Sequence, residues 1–125
     1  MSGLRTHNLV VEYSSGGNAI RPIDGLDLEL DAGSLNILLG PSGCGKTTLL
    51  SCLGGLLTPT SGRITVGDVE VTALNRRAMS QYRCHKVGIV FQAFNLVPSL
   101  TALENVMVPL RAAGKSRRAA RERAE

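Results

Sequence analysis

The sequence predicts an α/β fold with an added antiparallel β region. Three observations carry the prediction. Residues 34–39 and 87–91 are short apolar runs of the kind that form buried parallel strands. Residues 40–48 are a glycine-rich loop that leads into a helix-forming run, 47–53, closed by Gly54-Gly55. Leu26-Asp27-Leu28-Glu29-Leu30 alternates strictly, which suits a strand with one face in solvent.

Taken in order, residues 4–13 predict a first strand around Leu9-Val10-Val11, closed by Tyr13 before the turn cluster Ser14-Ser15-Gly16-Gly17-Asn18. Residues 19–23 predict a short edge strand, because Pro22 has no N–H for a central ladder. In 26–30 the three leucines face inward, and Asp31-Ala32-Gly33 turns the chain into the buried strand 34–39. After the loop and helix, 56–62 is a second loop. Residues 63–66 and 70–71 then pair around Gly67-Asp68. Residues 75–83 predict a polar helix with Asn75 as its cap. The strand 87–91 ends at Gln92, and 93–100 is a loop rich in apolar side chains: Phe94, Leu96, Val97 and Leu100. Thr101 with Glu104 three residues on is a capping box, and Pro109 interrupts the helix it opens. From Ser116 the chain is rich in Ala, Arg and Glu and helical by propensity. It reaches Glu125 without a Gly or Pro stop, the pattern expected of a sequence cut within a helix.

Composition bounds the function classes. A length of 125 residues allows one domain, and 43% hydrophobic content supports a core. The formal charge of +4 resides in 111–125, with six basic against two acidic residues; the other 110 carry eight of each. The excess is one terminal segment, not a basic face on the core. Cys44, Cys52 and Cys84 have no metal-binding spacing and are expected as free thiols in a reducing compartment. With no apolar run near the length of a membrane span and no signal-peptide core, a soluble, cytoplasmic chain is expected.

The chemistry is concentrated in Gly40-Pro41-Ser42-Gly43-Cys44-Gly45-Lys46-Thr47-Thr48, which satisfies the P-loop pattern G-x-x-x-x-G-K-[ST] at every fixed position. Glycines let successive backbone N–H groups turn inward as an anion-binding nest. The positive end of the following helix points at the same anion. Lys46 adds a charge for the β/γ-phosphates, and the Thr47 hydroxyl is placed to ligate Mg²⁺. A preceding strand and following helix are the context the motif requires. Cys44 lies among these donors beside Lys46, so faster alkylation than at Cys52 or Cys84 is expected, with protection by nucleotide. Two further residues have a bland reading by chemistry alone. Gln92 is an ordinary solvated loop residue, and Tyr13 is a strand-end tyrosine with its hydroxyl in water.

Over nearly its whole length the chain resembles the N-terminal part of an ATP-binding subunit of ABC transporters. The residues that carry the resemblance are Tyr13, the loop Gly40 to Thr48, the turn Thr58-Pro59-Thr60-Ser61-Gly62, and Val87-Gly88-Ile89-Val90-Phe91-Gln92. Asn95-Leu96-Val97-Pro98 and Leu100-Thr101-Ala102-Leu103-Glu104-Asn105-Val106 look most like the lipoprotein-release and macrolide-export type. The resemblance implies a P-loop NTPase fold of ABC ATPase type, incomplete at its C-terminus. Residues 1–92 would be the nucleotide-binding core, and 93–125 the Q-loop and the start of a helical subdomain. It also implies ATP and Mg²⁺ as ligands. Tyr13 would stack on adenine, residues 40–48 would hold the phosphates, and Thr47 and Gln92 would serve the metal. The implied partners are a membrane permease and a second ATP-binding subunit, with the protein held on the cytoplasmic face of the membrane and no role for nucleic acid. The family's LSGGQ signature, Walker B aspartate with its catalytic glutamate, and switch histidine do not occur in this sequence, so ATP binding without turnover is expected. Ser34 replaces a commonly acidic residue. A P-loop kinase or GTPase is the competing reading; the antiparallel region ahead of the loop argues against it. A fragment acting on nucleic acid through its basic end is a third, which a steep salt dependence would reveal.

Overall fold

The computed structural model describes residues 3–125. The chain divides into two compact units, Met1–Met79 and Ser80–Glu125. The first is built on a four-stranded antiparallel sheet of order β2-β1-β3-β4, comprising β1 (Leu4–Ser15), β2 (Asn18–Leu30), β3 (Ser61–Val66) and β4 (Val69–Glu70). A two-residue turn at Gly16-Gly17, both at positive φ, joins β1 to β2 and suits the right-handed twist of a hairpin. The edge strand expected at 19–23 and the alternating strand at 26–30 are one continuous strand, β2. It lies at the sheet edge, where Pro22 costs no ladder bond. Leu26, Leu28 and Leu30 alternate with exposed neighbours, as their pattern predicts.

The core of this unit forms where β1 meets its two neighbours. Leu9 and Ile64 are completely buried, with Val11, Ile23 and Val71 nearly so. Each such side chain contributes about 1.5–3 kcal/mol relative to an exposed one. Thr6 is buried as well, and its hydroxyl donates to the Leu26 carbonyl at 2.9 Å where the β1–β2 register shifts. The helix α1 (Lys46–Leu53) buries Leu49 and Cys52 and ends at Gly54, as its sequence predicts. The hairpin at Gly67-Asp68 also forms, followed by a 3₁₀ turn at Val71–Ala73.

Two expectations fail. Residues 34–39 and 87–91 are not strands, and their side chains are not buried. Leu35 is 93% exposed, Leu39 84% and Val90 100%. A parallel strand exists only by hydrogen bonding to neighbours on its flanks. Among the described residues no strand is hydrogen-bonded to either segment. Both are irregular coil with most of their apolar side chains exposed.

The helix α2 (Arg76–His85) runs across the boundary between the units, with its first turn capped by Asn75 Oδ1 accepting from Ala78 N–H at 2.9 Å. The second unit continues through the irregular stretch 86–100 to two helices in contact, α3 (Ala102–Ala112) and α4 (Arg117–Ala124), with Met107 and Ala120 buried. The Thr101/Glu104 capping box is present in both directions. Two hydrogen bonds, from the Thr101 backbone N–H and hydroxyl, hold the Glu104 carboxyl below its usual range, with Arg117 adding to the effect. Pro109 does not end α3 as expected. A proline ring removes one i→i−4 donor, but its own carbonyl still accepts from Ala113 N–H at 3.0 Å, and the helix closes three residues later. Ser116 caps α4 through the Ala119 N–H at 3.2 Å.

Candidate phosphate-binding site

Residues 41–45 form the link between the extended stretch 34–40 and α1, and the first helical residue is Lys46. Its ammonium folds back into the loop, donating to the carbonyls of Gly40 and Pro41 at 2.6 Å each and lying 3.3 Å from Cys44 Sγ. The Cys44 N–H reaches the Pro41 carbonyl at 3.4 Å and closes the turn. Gly45 occupies the N-cap position of α1 at φ 96, and a Cβ there would come within 2.5 Å of the Pro22 carbonyl oxygen. The loop is thus seated against β2 by a contact that only glycine permits.

The donor set fits an anion. No side chain caps α1, and no acidic residue stands in its first turn. The first intrahelical bond runs from Leu49 N–H to the Gly45 carbonyl, which leaves the earlier N–H groups of the helix without intrahelical acceptors. None of the ion pairs among the described residues involves Lys46; its acceptors are two neutral carbonyls and the Cys44 sulfur. A phosphate oxygen is a stronger acceptor than any of them. Thr47 is exposed beside these groups, so its hydroxyl is free to turn toward a hard cation. Behind the loop lies a cavity of about 560 Å³, lined largely by Ile23, Leu26, Leu28, Leu38, Leu39 and Leu49. Cys44, Gly45 and Lys46 of the loop also line it, together with Asp24 and Asp27, so the donors that suit an anion lie on its loop side.

The other two expected site residues are placed differently. Tyr13 stands near the end of β1, paired with Ile20 and 44% exposed, and none of the described hydrogen bonds links it to residues 40–48. Gln92 belongs to the second unit, exposed in a turn just after the 87–91 stretch. Residues 40–46 are thus held together by local contacts, and Tyr13 and Gln92 are surface residues of their own segments. Two features escaped sequence reasoning. Pro22 supplies the carbonyl that seats Gly45, and Asn105 bonds the segment after Gln92. No local pattern signals the first, whereas the second lies one residue beyond the capping-box glutamate.

The three thiols have different surroundings. Cys44 is exposed, Cys84 half-buried and Cys52 buried in α1, where desolvation pushes its thiol up. With iodoacetamide, Cys44 is expected to alkylate at least about tenfold faster than Cys52. Mg-ATP should protect Cys44 alone. Peptide mass spectrometry over time checks this, and equal rates unaffected by nucleotide would contradict it.

Comparison with known proteins gives a consistent set of relatives. A family model described as ABC transporter matches residues 23–125. An uncharacterized ABC transporter ATP-binding protein of Mycobacterium tuberculosis is 72% identical over 125 residues, all of this chain and 38% of the relative. The lipoprotein-releasing system ATP-binding protein LolD of Legionella pneumophila is 42% identical over 121 residues, 97% of this chain and 53% of the relative. Among solved structures, the dimeric ATP-binding cassette MJ0796 in a post-hydrolysis state bound to ADP and Pi superposes with a TM-score of 0.91 at 35% identity. That match covers 97% of this chain and 53% of the cassette. The chain thus spans about half the length of these relatives, or less. Among the described residues no helix is long and apolar enough to cross a membrane.

Proposed function

The chain belongs to the ABC transporter family of ATP-binding proteins, and from that premise we propose that it binds Mg-ATP through Gly40 to Thr48 as the nucleotide-binding portion of a transporter ATPase. The observation that carries the proposal is the Lys46 ammonium held on the neutral carbonyls of Gly40 and Pro41, at the uncapped start of α1. A β/γ-phosphate takes over that ammonium, and the first-turn N–H groups of α1 take the remaining anionic oxygens. The Thr47 hydroxyl would hold Mg²⁺; that Gln92 also serves the metal rests on the resemblance of the segment before it. Mg²⁺ supplies charge neutralisation between the phosphates. Tyr13 stacks on the adenine ring, again by resemblance, using a face that is half open to solvent.

In the longer parent we propose that two such subunits associate and drive a membrane permease from the cytoplasmic face. The 42% identity to the lipoprotein-releasing ATP-binding protein supports that subfamily. The sequence holds no signature motif, no Walker B aspartate and glutamate and no switch histidine, so this chain binds ATP without hydrolysing it. Titration calorimetry of Mg-ATP with phosphate release followed on the same sample tests both halves. Binding without release is expected. Release above background would show a general base this reading does not assign, and the absence of binding would restrict every role above to the longer parent.

A further inference from the structure

Asn105 makes four hydrogen bonds with one side chain, and all four go to the backbone of the segment that follows Gln92. Its Oδ1 accepts from Val97 N–H at 2.8 Å. Its Nδ2 donates to the carbonyls of Val97 at 3.2 Å, Leu100 at 3.2 Å and Thr101 at 3.0 Å. The amide has only one workable orientation. Turned over, it would set NH₂ against an N–H and oxygen against three carbonyls. The Val97 carbonyl also accepts from Leu100 N–H at 3.1 Å, so both of its lone pairs are engaged. Thr101 is held a second time by Glu104. Residues 97–101 are therefore fastened to the first turn of α3.

Between Gln92 and this anchored point lie four residues. The two at their centre, Phe94 and Asn95, have φ of 48 and 54, a left-handed conformation that a phenylalanine seldom takes. All four are exposed. The span thus has a fixed end at Val97 and a conformationally loaded centre, and Gln92 rides on its other end.

We propose that Asn105 is a positioning residue for Gln92: its amide pins residues 97–101 to α3 and so fixes the far end of the short span that carries Gln92. The proposal rests on the reading of Gln92 as the residue that serves Mg²⁺. It adds a residue that contacts neither nucleotide nor metal.

The test compares Gln92→Ala, Asn105→Leu, Asn105→Asp and the double variant Gln92→Ala/Asn105→Leu in this chain. Affinity for ATP is measured with Mg²⁺ and, separately, in EDTA, and hydrogen exchange is followed at the Val97 amide. Asn105→Leu keeps the shape and removes all four bonds. Exchange at Val97 is expected to quicken at least about tenfold, and Mg-ATP affinity to fall about fivefold to tenfold with metal-free ATP unchanged. Gln92→Ala should give the same metal-dependent loss, and the double variant no more than either alone. Asn105→Asp keeps the acceptor for Val97 N–H but turns a carboxylate on three carbonyls. It should lose Mg-ATP affinity while retaining part of the Val97 protection, and it supplies the same test should the leucine variant not fold. A metal-dependent loss with Gln92→Ala but none with either Asn105 variant overturns the positioning role. Equal loss of metal-bound and metal-free ATP in the Asn105 variants overturns it too, since that marks general unfolding. No metal-dependent loss with Gln92→Ala overturns the reading of Gln92 itself, and this proposal with it.

Discussion

Lys46→Ala is expected to lower the affinity of this chain for Mg-ATP by at least about 100-fold, to below detection by calorimetry, while leaving its unfolding transition in place. The ammonium has two functions in the structure. It carries the one full positive charge within the loop, and through the Gly40 and Pro41 carbonyls, both at 2.6 Å, it curls the loop toward the start of α1. Charge-assisted hydrogen bonds contribute about 1.5–3 kcal/mol each. Two such bonds to phosphate oxygens amount to about 3 kcal/mol or more, which is the stated 100-fold. Stability should change little, because Lys46 belongs to none of the buried residues that make up the core. Lys46→Arg is expected to fail as a rescue, since a planar fork cannot replace a compact ammonium inside a closed loop. Affinity retained within about threefold in Lys46→Ala would mean that bound ATP is held elsewhere, and would remove the observation on which the functional proposal stands.

Gly62→Ala is expected to destabilise the first unit by about 3 kcal/mol or more, whereas Gly67→Ala costs about 1 kcal/mol. Both glycines have positive φ, 91 and 58, so both substitutions carry a conformational penalty. They differ in space. A Cβ on Gly62 would overlap the Asn8 carbonyl oxygen and lie 2.6 Å from Leu9 Cα, and both are backbone atoms of the central strand. One on Gly67 would meet nothing within 4 Å. The turn before β3 is pressed onto β1 at this point. Thr60 N–H donates to the Val10 carbonyl at 2.8 Å, and the Thr60 hydroxyl accepts from Glu12 N–H at 2.8 Å. Relief of the overlap would part β3 from β1 beside Leu9, which is completely buried. Urea unfolding of the two variants, monitored by circular dichroism, checks the difference. Equal costs would show that the close approach at Gly62 adds nothing to its backbone conformation.

Features written in a few consecutive residues were legible in the sequence. The helix after the glycine-rich loop, the Asn75 cap, the Thr101/Glu104 box, the Ser116 helix and the turn at Gly67-Asp68 all form where their residues predict. Each depends on contacts within three or four positions, so each carries its cause with it. The alternation in 26–30 belongs to the same class, since the pleat alone puts its leucines on one side.

What only the tertiary structure decided concerns partners distant in the chain. The apolar runs 34–39 and 87–91 have the composition of buried strands, yet both are largely exposed, because a strand is made by its partners and none is hydrogen-bonded to them among the described residues. Gly45 and Gly62 read in the sequence as turn residues. The structure shows that each is required by a backbone atom far along the chain, Pro22 for one and Asn8 with Leu9 for the other. Asn105 looks like any polar residue early in a helix until Val97 is brought under its amide. A sequence can specify a donor or an apolar side chain by itself. Which group meets it depends on chain closure beyond the reach of a single helical turn, and that is settled only when the sheet and the helices have formed.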